Sequence, residues 1–274
     1  MLAQRILTAA LLIPLVAGGV LYLPTFWMAL AFGLVVLLGA SEWARLAGIR
    51  SPAWRALYLF LMAAVLWLVS LLLPHPDWTF WLFAVTAAGW LLGMAGLARV
   101  RDIGQMPPGP RPLRAAAGLV VLATAWAALV ALHGEAADGP GLVLFLLVLI
   151  WVADSGAYFA GRRWGRVKLA PAISPGKTRE GVYGALAGSV ACALALVWLR
   201  PDLGGPVALV PLCLLTCLVS VEGDLFESLL KRQAGVKDSG ALLPGHGGVL
   251  DRIDSLIAAA PVFVSGLTLL GAAR

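Results

Sequence analysis

Carboxylate side chains recur near the ends of three apolar stretches in the C-terminal half of the chain. Residues three and four positions apart share one face of a helix. The faces predicted in this way carry Asp154 with Tyr158, Asp224 with Glu227, Ser228 and Lys231, and Asp251 with Asp254 and Ser255. Two carboxylates 4 Å apart repel each other by about 4 kcal/mol at an effective dielectric of 20. A cation must therefore lie among them, and hard oxygen ligands near phosphates suit Mg²⁺ better than zinc. Direct pairing with Lys or Arg is the alternative.

These carboxylates could instead be solvated helix ends. Placing an ionised residue at mid-membrane costs roughly 2.5 to 3.5 kcal/mol. For Asp154, Glu222, Asp224 and Glu227 together, this cost approaches the whole stability of a typical domain. We therefore expect them to face the interior of a helical bundle or a wet cavity near one membrane surface.

The composition excludes a soluble domain. Of 274 residues, 61% are hydrophobic and 12% are charged, and the mean hydropathy is +0.92. About 20 apolar residues cross the hydrocarbon core as a helix. We predict an all-α polytopic membrane protein with about nine transmembrane helices, at 5–23, 26–47, 54–73, 78–98, 113–132, 141–161, 181–199, 205–227 and 253–272. About five belong to an N-terminal region, 1–132, and about four, with their cytoplasmic loops, to a catalytic region, 133–274.

The basic residues predict the orientation, because Lys and Arg collect in cytoplasmic loops. With the N-terminus inside and nine crossings, only Arg200 and Arg274 of the 20 basic residues fall outside, together with the C-terminus. The formal net charge of +6 is then concentrated on one surface, which suits anionic headgroups or phosphate substrates. The three cysteines lie within apolar spans, and we predict neither a disulfide nor a zinc site.

Two inside segments could hold phosphate. The stretch ISPGKTREG places Ser174, Lys177 and Thr178 before the seventh span, but it lacks the spacing of a Walker loop. A helix N-cap by Thr178 explains it equally well. The glycines before the ninth span allow close backbone approach, and cations surround them, namely Lys231, Arg232, Lys237 and Arg252. Near another inside helix end, Glu42 and Arg45 are interpreted as a structural ion pair.

The stretch SLLKRQAGVKDSGALLPGHGGVLDRID, residues 228–254, resembles the signature of the phosphatidate cytidylyltransferases. That signature is S-x-x-K-R, four residues, K-D-S, and then H-G-G-x-x-D-R-x-D, and every fixed position is filled. DSGAYFAGRRWGR and ISPGKTREG resemble the same family, although Gly176 stands where the family usually carries a second Lys. The similarity covers residues 140–274, while residues 1–130 match only as hydrophobic helices.

The resemblance implies that CTP and phosphatidic acid are converted to CDP-diacylglycerol and pyrophosphate. We predict that Asp224 and Asp251 hold Mg²⁺, with Asp154, Glu227 or Asp254 in the outer shell or on a second cation such as K⁺. The predicted catalytic residues are Asp224, Asp251, Lys231, Arg252, Asp254 and His246. His246 is favoured as an orienting or nucleotide contact over a general base. The predicted substrate-binding residues are Ser174, Lys177, Thr178, Ser228, Arg232, Lys237, Asp238, Gly247, Gly248, Asp154 and Ser155.

Other function classes remain as alternatives. Buried charges in helical bundles often mark ion pathways, but a transporter usually places them at the midplane between repeated halves. A lipid-alcohol kinase, or a cytidylyltransferase for another lipid phosphate, would use similar groups. A structural scaffold would not need costly carboxylates. The expected partners are CTP, phosphatidic acid and the bilayer, with no nucleic acid and with a homodimer left open. The expected location is a bacterial inner membrane, with the site on the cytoplasmic side.

Overall fold

The computed structural model describes residues 2–97, 100, 112–135, 138–242 and 247–271, with side chains from residue 10 onward. Within these ranges the chain forms nine α-helices and one pair of short strands. The elements are α1 Leu2–Tyr22, α2 Thr25–Leu46, α3 Pro52–Leu72, α4 Pro76–Leu97, α5 Pro112–His133, α6 Gly139–Trp164, β1 Lys168–Ala170, β2 Ser174–Thr178, α7 Arg179–Leu199, α8 Pro206–Gln233 and α9 Leu250–Leu269. A 3-10 turn, Pro201–Leu203, joins α7 to α8.

The helices coincide with the predicted spans. In the described part of the chain, the eight helices α2 to α9 are long and apolar enough to cross a membrane, and α1 contributes the apolar stretch Ala10–Tyr22. The predicted helical membrane class is therefore confirmed. Helices α6 and α8 continue to Trp164 and Gln233, past the predicted ends at 161 and 227, because their polar ends also favour helix. The orientation of the termini stays a prediction.

A β-hairpin precedes α7 and was not predicted. Strands β1 and β2 are antiparallel, with Lys168 opposite Thr178 and Ala170 opposite Ser174. Pro175 lies within β2, and proline disfavours helix both at its own position and at the residue before it. The expectation of helices alone is corrected to this extent. The predicted N-cap is confirmed, since Thr178 Oγ1 accepts a hydrogen bond from Gly181 N at 3.1 Å.

Helix α9 lies at the centre of the bundle. It packs against α8, α5, α4 and α2, and every residue from 257 to 265 is buried. The aromatic ring of Phe263 on α9 is fully buried and lies 5.9 Å from the ring of Phe145 on α6. The core therefore runs across the predicted boundary at 132 and 133, and the N-terminal helices support the helix that begins at the signature sequence.

A glycine contact lets α6 and α7 approach closely. A Cβ atom on Gly156 would meet the carbonyl oxygen of Gly184 at 2.5 Å, and a Cβ atom on Gly184 would collide with Gly156 and Ala160. Close backbone approach through small residues is a usual means of helix association in membranes. Since Gly156 lies one half-turn beyond Asp154, this contact also sets the position of an acidic side chain.

We expect Gly184→Val to lower the free energy of unfolding by about 1 to 3 kcal/mol, because overpacking would separate α6 from α7. Gly89 on α4 has no neighbouring atom where its Cβ would lie, and Gly89→Ala is the matched control, expected to be neutral or slightly stabilising. Thermal unfolding in detergent measures both. Equal midpoints for the two variants would contradict the proposed contact.

Candidate active site

A cavity of about 450 Å³ lies between α6, α7, β2 and α8. Asp154 of α6 and Asp224 of α8 contribute carboxylates to its wall, and Lys177 of β2 contributes an ammonium group. Arg162 and Tyr158 also line it, and the Arg162 Nη1 atom donates a hydrogen bond to the Tyr158 hydroxyl at 2.7 Å. The cavity thus joins charged groups from three elements that are distant in sequence.

Lys177 and Asp224 form an ion pair in this cavity. The Lys177 Nζ atom lies 2.6 Å from Asp224 Oδ2, and the two side chains are 24% and 33% exposed. Asp224 Oδ1 accepts a weaker hydrogen bond from Ser228 Oγ at 3.3 Å. Strand β2 is extended and directs the Lys177 side chain toward α8. Both partners remain accessible to a ligand.

Further carboxylates surround this pair. Asp154 and Asp254 are each close enough to Asp224 for their charges to interact, and Glu227 interacts with Asp224 as well. Lys177 opposes the negative charge of both Asp154 and Asp254. The structure therefore brings the acidic faces of α6, α8 and α9 within range of one another's charges, with Lys177 and Arg252 opposing them.

A second, more buried group lies beside the first. The Lys231 Nζ atom lies 2.6 Å from Glu227 Oε2 and 2.6 Å from Asp251 Oδ1. Lys231 is only 9% exposed, so its charge is matched by carboxylates from α8 and α9 together. Among the described residues, the buried Glu227 Oε1 atom has no hydrogen-bond partner. One acceptor atom at this site is thus left for a cation, a proton or a water molecule.

Asp251, in the first turn of α9, binds both described ends of the loop between α8 and α9, called the signature loop because it carries part of the signature sequence. Its Oδ2 atom accepts hydrogen bonds from Ser239 N at 3.0 Å and Gly248 N at 2.8 Å, and it lies 3.0 Å from Ser239 Oγ. Gly247 has a φ of +81°, a left-handed conformation that favours glycine. Gly247 thus permits this turn, and Gly248 donates its backbone N–H to Asp251, while the predicted contact of the two glycines with substrate stays a prediction.

Glu42 of α2 belongs to the same network and was not predicted to do so. It is 2% exposed and accepts hydrogen bonds from Ser239 Oγ, Val249 N and Leu250 N at 2.7, 3.1 and 2.8 Å. Among the described residues it forms no ion pair with Arg45, so that prediction is wrong. Arg45 Nη2 donates to the Ser239 carbonyl at 3.2 Å instead, because the loop reaches α2. The available signal was a carboxylate inside an apolar span.

The remaining predicted residues are distributed around this network. Arg232, Lys237, Asp238 and Arg252 are exposed, as is Ser155 beside Asp154, whereas Ser174 is half-buried in β2. Arg232 Nε lies 3.5 Å from the Ile173 carbonyl and links α8 to the hairpin. His246 lies outside the described residues. Glu222 faces the bundle interior as expected, against Gly93 of α4, and both its buried oxygens lack hydrogen-bond partners among the described residues.

The comparisons with known proteins agree on one family. Residues 3–270 match the cytidylyltransferase family. The chain is 45% identical to a phosphatidate cytidylyltransferase of Pseudomonas aeruginosa, over 97% of this chain and 96% of the relative. It is 36% identical to a phosphatidate cytidylyltransferase of Haemophilus influenzae, over 96% and 97% of the two chains. A relative of the same name from Synechocystis is 35% identical over 94% of each chain.

The match extends through the N-terminal helices that carry Glu42 and Arg45, beyond the C-terminal half in which the signature lies. With its helical membrane bundle and its signature residues gathered at one site, this chain belongs to the cytidylyltransferase family.

Proposed function

We propose that this chain is a multi-pass membrane enzyme that makes CDP-diacylglycerol and pyrophosphate from CTP and phosphatidic acid. One observation carries the proposal: the accessible Lys177–Asp224 pair lies in a cavity with further carboxylates, inside a bundle of apolar helices. Such a site can hold a polyphosphate and a divalent cation while its lipid partner stays in the bilayer. Membership of the family and the names of the relatives support the same reaction.

The reaction needs charge neutralisation more than proton transfer. An oxygen of the lipid phosphate attacks the α-phosphorus of CTP, a new P–O bond forms, and the bond to the bridging oxygen breaks as pyrophosphate leaves. A phosphomonoester has a second pKa of about 6, so the nucleophile is already largely ionised at pH 7. Positive groups must then bring two polyanions together and stabilise the departing pyrophosphate.

The basic residues divide into two kinds by their contacts. Lys231 is buried and is held by Glu227 and Asp251, so it supports the site from within. Arg232, Lys237 and Arg252 are exposed, and within the described part of the chain none of them forms an ion pair. These three, together with Lys177, are the groups available to bind phosphates.

The accessible carboxylate of Asp224 suits Mg²⁺, whereas the second predicted ligand, Asp251, already has donors on both of its oxygens. Over the described ranges, no cluster of three or more His, Cys, Asp or Glu could hold a metal ion on its own. Mg²⁺ is commonly bound by one or two carboxylates together with water and substrate phosphates. Asp224 keeps unused acceptor positions on both oxygens, since each has one donor. Bound Mg²⁺ would neutralise phosphate charge, with Asp154, Glu227 or Asp254 in its outer shell or on a second cation such as K⁺.

The surface around the cavity suits the membrane interface. Tyr158, Phe159, Trp164 and Tyr183 are exposed on α6 and α7, and Tyr and Trp are enriched where lipid headgroups meet water. The lipid phosphate would therefore approach sideways from the headgroup layer, while CTP would arrive from the aqueous phase. We infer that this face lies on the cytoplasmic side of a bacterial inner membrane, because basic residues such as those of the signature collect on that side.

A direct assay tests the function. Purified protein in detergent with labelled CTP, Mg²⁺ and phosphatidic acid is expected to form labelled CDP-diacylglycerol and to release pyrophosphate in equal amounts. Transfer of the γ-phosphate of CTP to diacylglycerol, measured in parallel, would instead favour a kinase. Absence of both products, with the protein folded and Mg²⁺ present, would contradict the proposal and favour transport.

Asp224→Asn is expected to lower kcat by about 100-fold or more, because the reacting phosphates lose a site of preorganised charge. It should also raise the Mg²⁺ concentration needed for half-maximal rate. The matched control is Asp202→Asn, which removes an exposed carboxylate paired with Arg200 at 2.6 Å outside the cavity. Steady-state rates over a Mg²⁺ titration measure both variants. A wild-type rate and Mg²⁺ dependence for Asp224→Asn would remove Asp224 from the site.

The proposed orientation is tested by cysteine labelling of intact cells. Lys237 and Asp202 are both exposed and lie at opposite ends of α8. In a chain whose three cysteines are replaced, a membrane-impermeant maleimide should label Asp202→Cys in intact cells. It should label Lys237→Cys only after the inner membrane is opened. The reverse pattern would place the site on the outer side.

A further inference from the structure

Glu42, which lies on α2, caps the N-terminal end of α9. The N-cap residue of α9, Val249, makes no side-chain cap hydrogen bond, and the first backbone N–H groups of the helix lack intrahelical acceptors. Glu42 Oε1 accepts from Val249 N at 3.1 Å and Oε2 accepts from Leu250 N at 2.8 Å. A carboxylate at a helix N-terminus also interacts favourably with the helix dipole. Helix α2 thereby fixes where α9 begins.

The same carboxylate is linked to Asp251 through Ser239. The Ser239 Oγ atom lies 2.7 Å from Glu42 Oε2 and 3.0 Å from Asp251 Oδ2, so the two carboxylates share its single hydroxyl proton. Asp251 Oδ2 also accepts from the backbone N–H groups of Ser239 and Gly248. The two described ends of the signature loop are thus held between a carboxylate of α2 and a carboxylate of α9.

Two glycines leave the space that Glu42 occupies. A Cβ atom on Gly240 or on Gly248 would collide with a carboxylate oxygen of Glu42. These glycines stand on the two sides of the loop, so the backbone is shaped around this side chain. The loop backbone therefore fits the Glu42 carboxylate closely, which would not be needed if Glu42 only filled space in the core.

The geometry points to Glu42 as a positioning residue for the reaction, acting through Ser239 and the first turn of α9 on Asp251 and, through Asp251, on Lys231. Lys231 Nζ lies 2.6 Å from Asp251 Oδ1, so a shift of α9 would move both charged groups. Glu42 is 2% exposed and does not line the cavity, so we expect it to act without touching either substrate. The expected change in kcat rests on the proposed function, whereas the expected change in structure rests on the hydrogen-bond network alone.

Glu42→Gln tests the inference with little change in volume. The amide of Gln has only one acceptor oxygen. Its NH₂ group would therefore face one of the N–H or O–H groups that now donate to the carboxylate. We expect kcat to fall about tenfold or more, in the range found for residues that orient a site indirectly. The KM for phosphatidic acid should change by less than about twofold. Ser189→Ala is the control, because it removes a buried hydrogen bond of 2.9 Å between α7 and α8 and should leave kcat unchanged.

A double-mutant cycle separates positioning from general stability. If Glu42 acts through Ser239, adding Ser239→Ala to Glu42→Gln should reduce kcat by less than the product of the two single effects. Should Glu42→Gln fail to accumulate, Ser239→Ala alone is expected to lower kcat several-fold. A wild-type kcat per folded molecule in these variants would overturn the inference while leaving the proposed function standing.

Hydrogen exchange provides a readout that needs no activity. In the parent chain in detergent, the amides of Val249 and Leu250 should be protected, and Glu42→Gln should accelerate their exchange about tenfold or more. Ser189→Ala should leave this exchange unchanged. Unaltered exchange in Glu42→Gln would overturn the inference even if the parent chain were inactive, whereas an inactive parent with the expected exchange would count against the proposed function alone.

Discussion

The balance between carboxylates and ammonium groups at the ends of α6, α8 and α9 determines how this bundle is organised. Each ionised carboxylate is costly in hydrocarbon, and Lys177 and Lys231 each offset this cost for more than one acid. Buried ion pairs repay desolvation only when their geometry is good and further hydrogen bonds satisfy the remaining atoms. Asp251, with donors on both oxygens, meets that condition, whereas Glu227 retains one unsatisfied oxygen.

The scaffold serves this balance by bringing backbones close together. Gly156 and Gly184 allow α6 and α7 to touch, and Gly223 lies where a Cβ atom would meet the Asp254 carbonyl of α9 at 2.5 Å. Both contacts occur within two residues of a carboxylate at the site. Small residues at helix crossings thus fix the separation of the acidic groups, and the large apolar residues fill the remaining core. Packing and charge placement are therefore not independent in this protein.

The sequence predicts the helices and most of the charged residues of the site. It does not predict which groups those charged residues contact. Hydropathy located every described helix because membrane spans require long apolar runs. It could not reveal β1 and β2, since a five-residue strand has no comparable pattern and Thr178 fitted a helix start equally well. Helical spacing placed Asp224 and Lys231 on one face, but only the tertiary fold shows that Lys177 pairs with Asp224. Glu42 was misassigned because Arg45 is near in sequence, whereas Ser239 and Leu250 are near in space.

The two lysine pairs differ in a way that bears on how the proposed reaction begins. Lys231 is enclosed by two carboxylates and is 9% exposed, so an incoming anion would have to displace a buried partner. Lys177 and Asp224 are both partly exposed in the cavity, where water screens the pair and lowers the cost of separating it. A phosphate that binds Lys177 would release Asp224, and the freed carboxylate could then accept a cation that arrives with the nucleotide. The accessible pair is thus suited to exchange partners, while the enclosed pair maintains the geometry during that exchange.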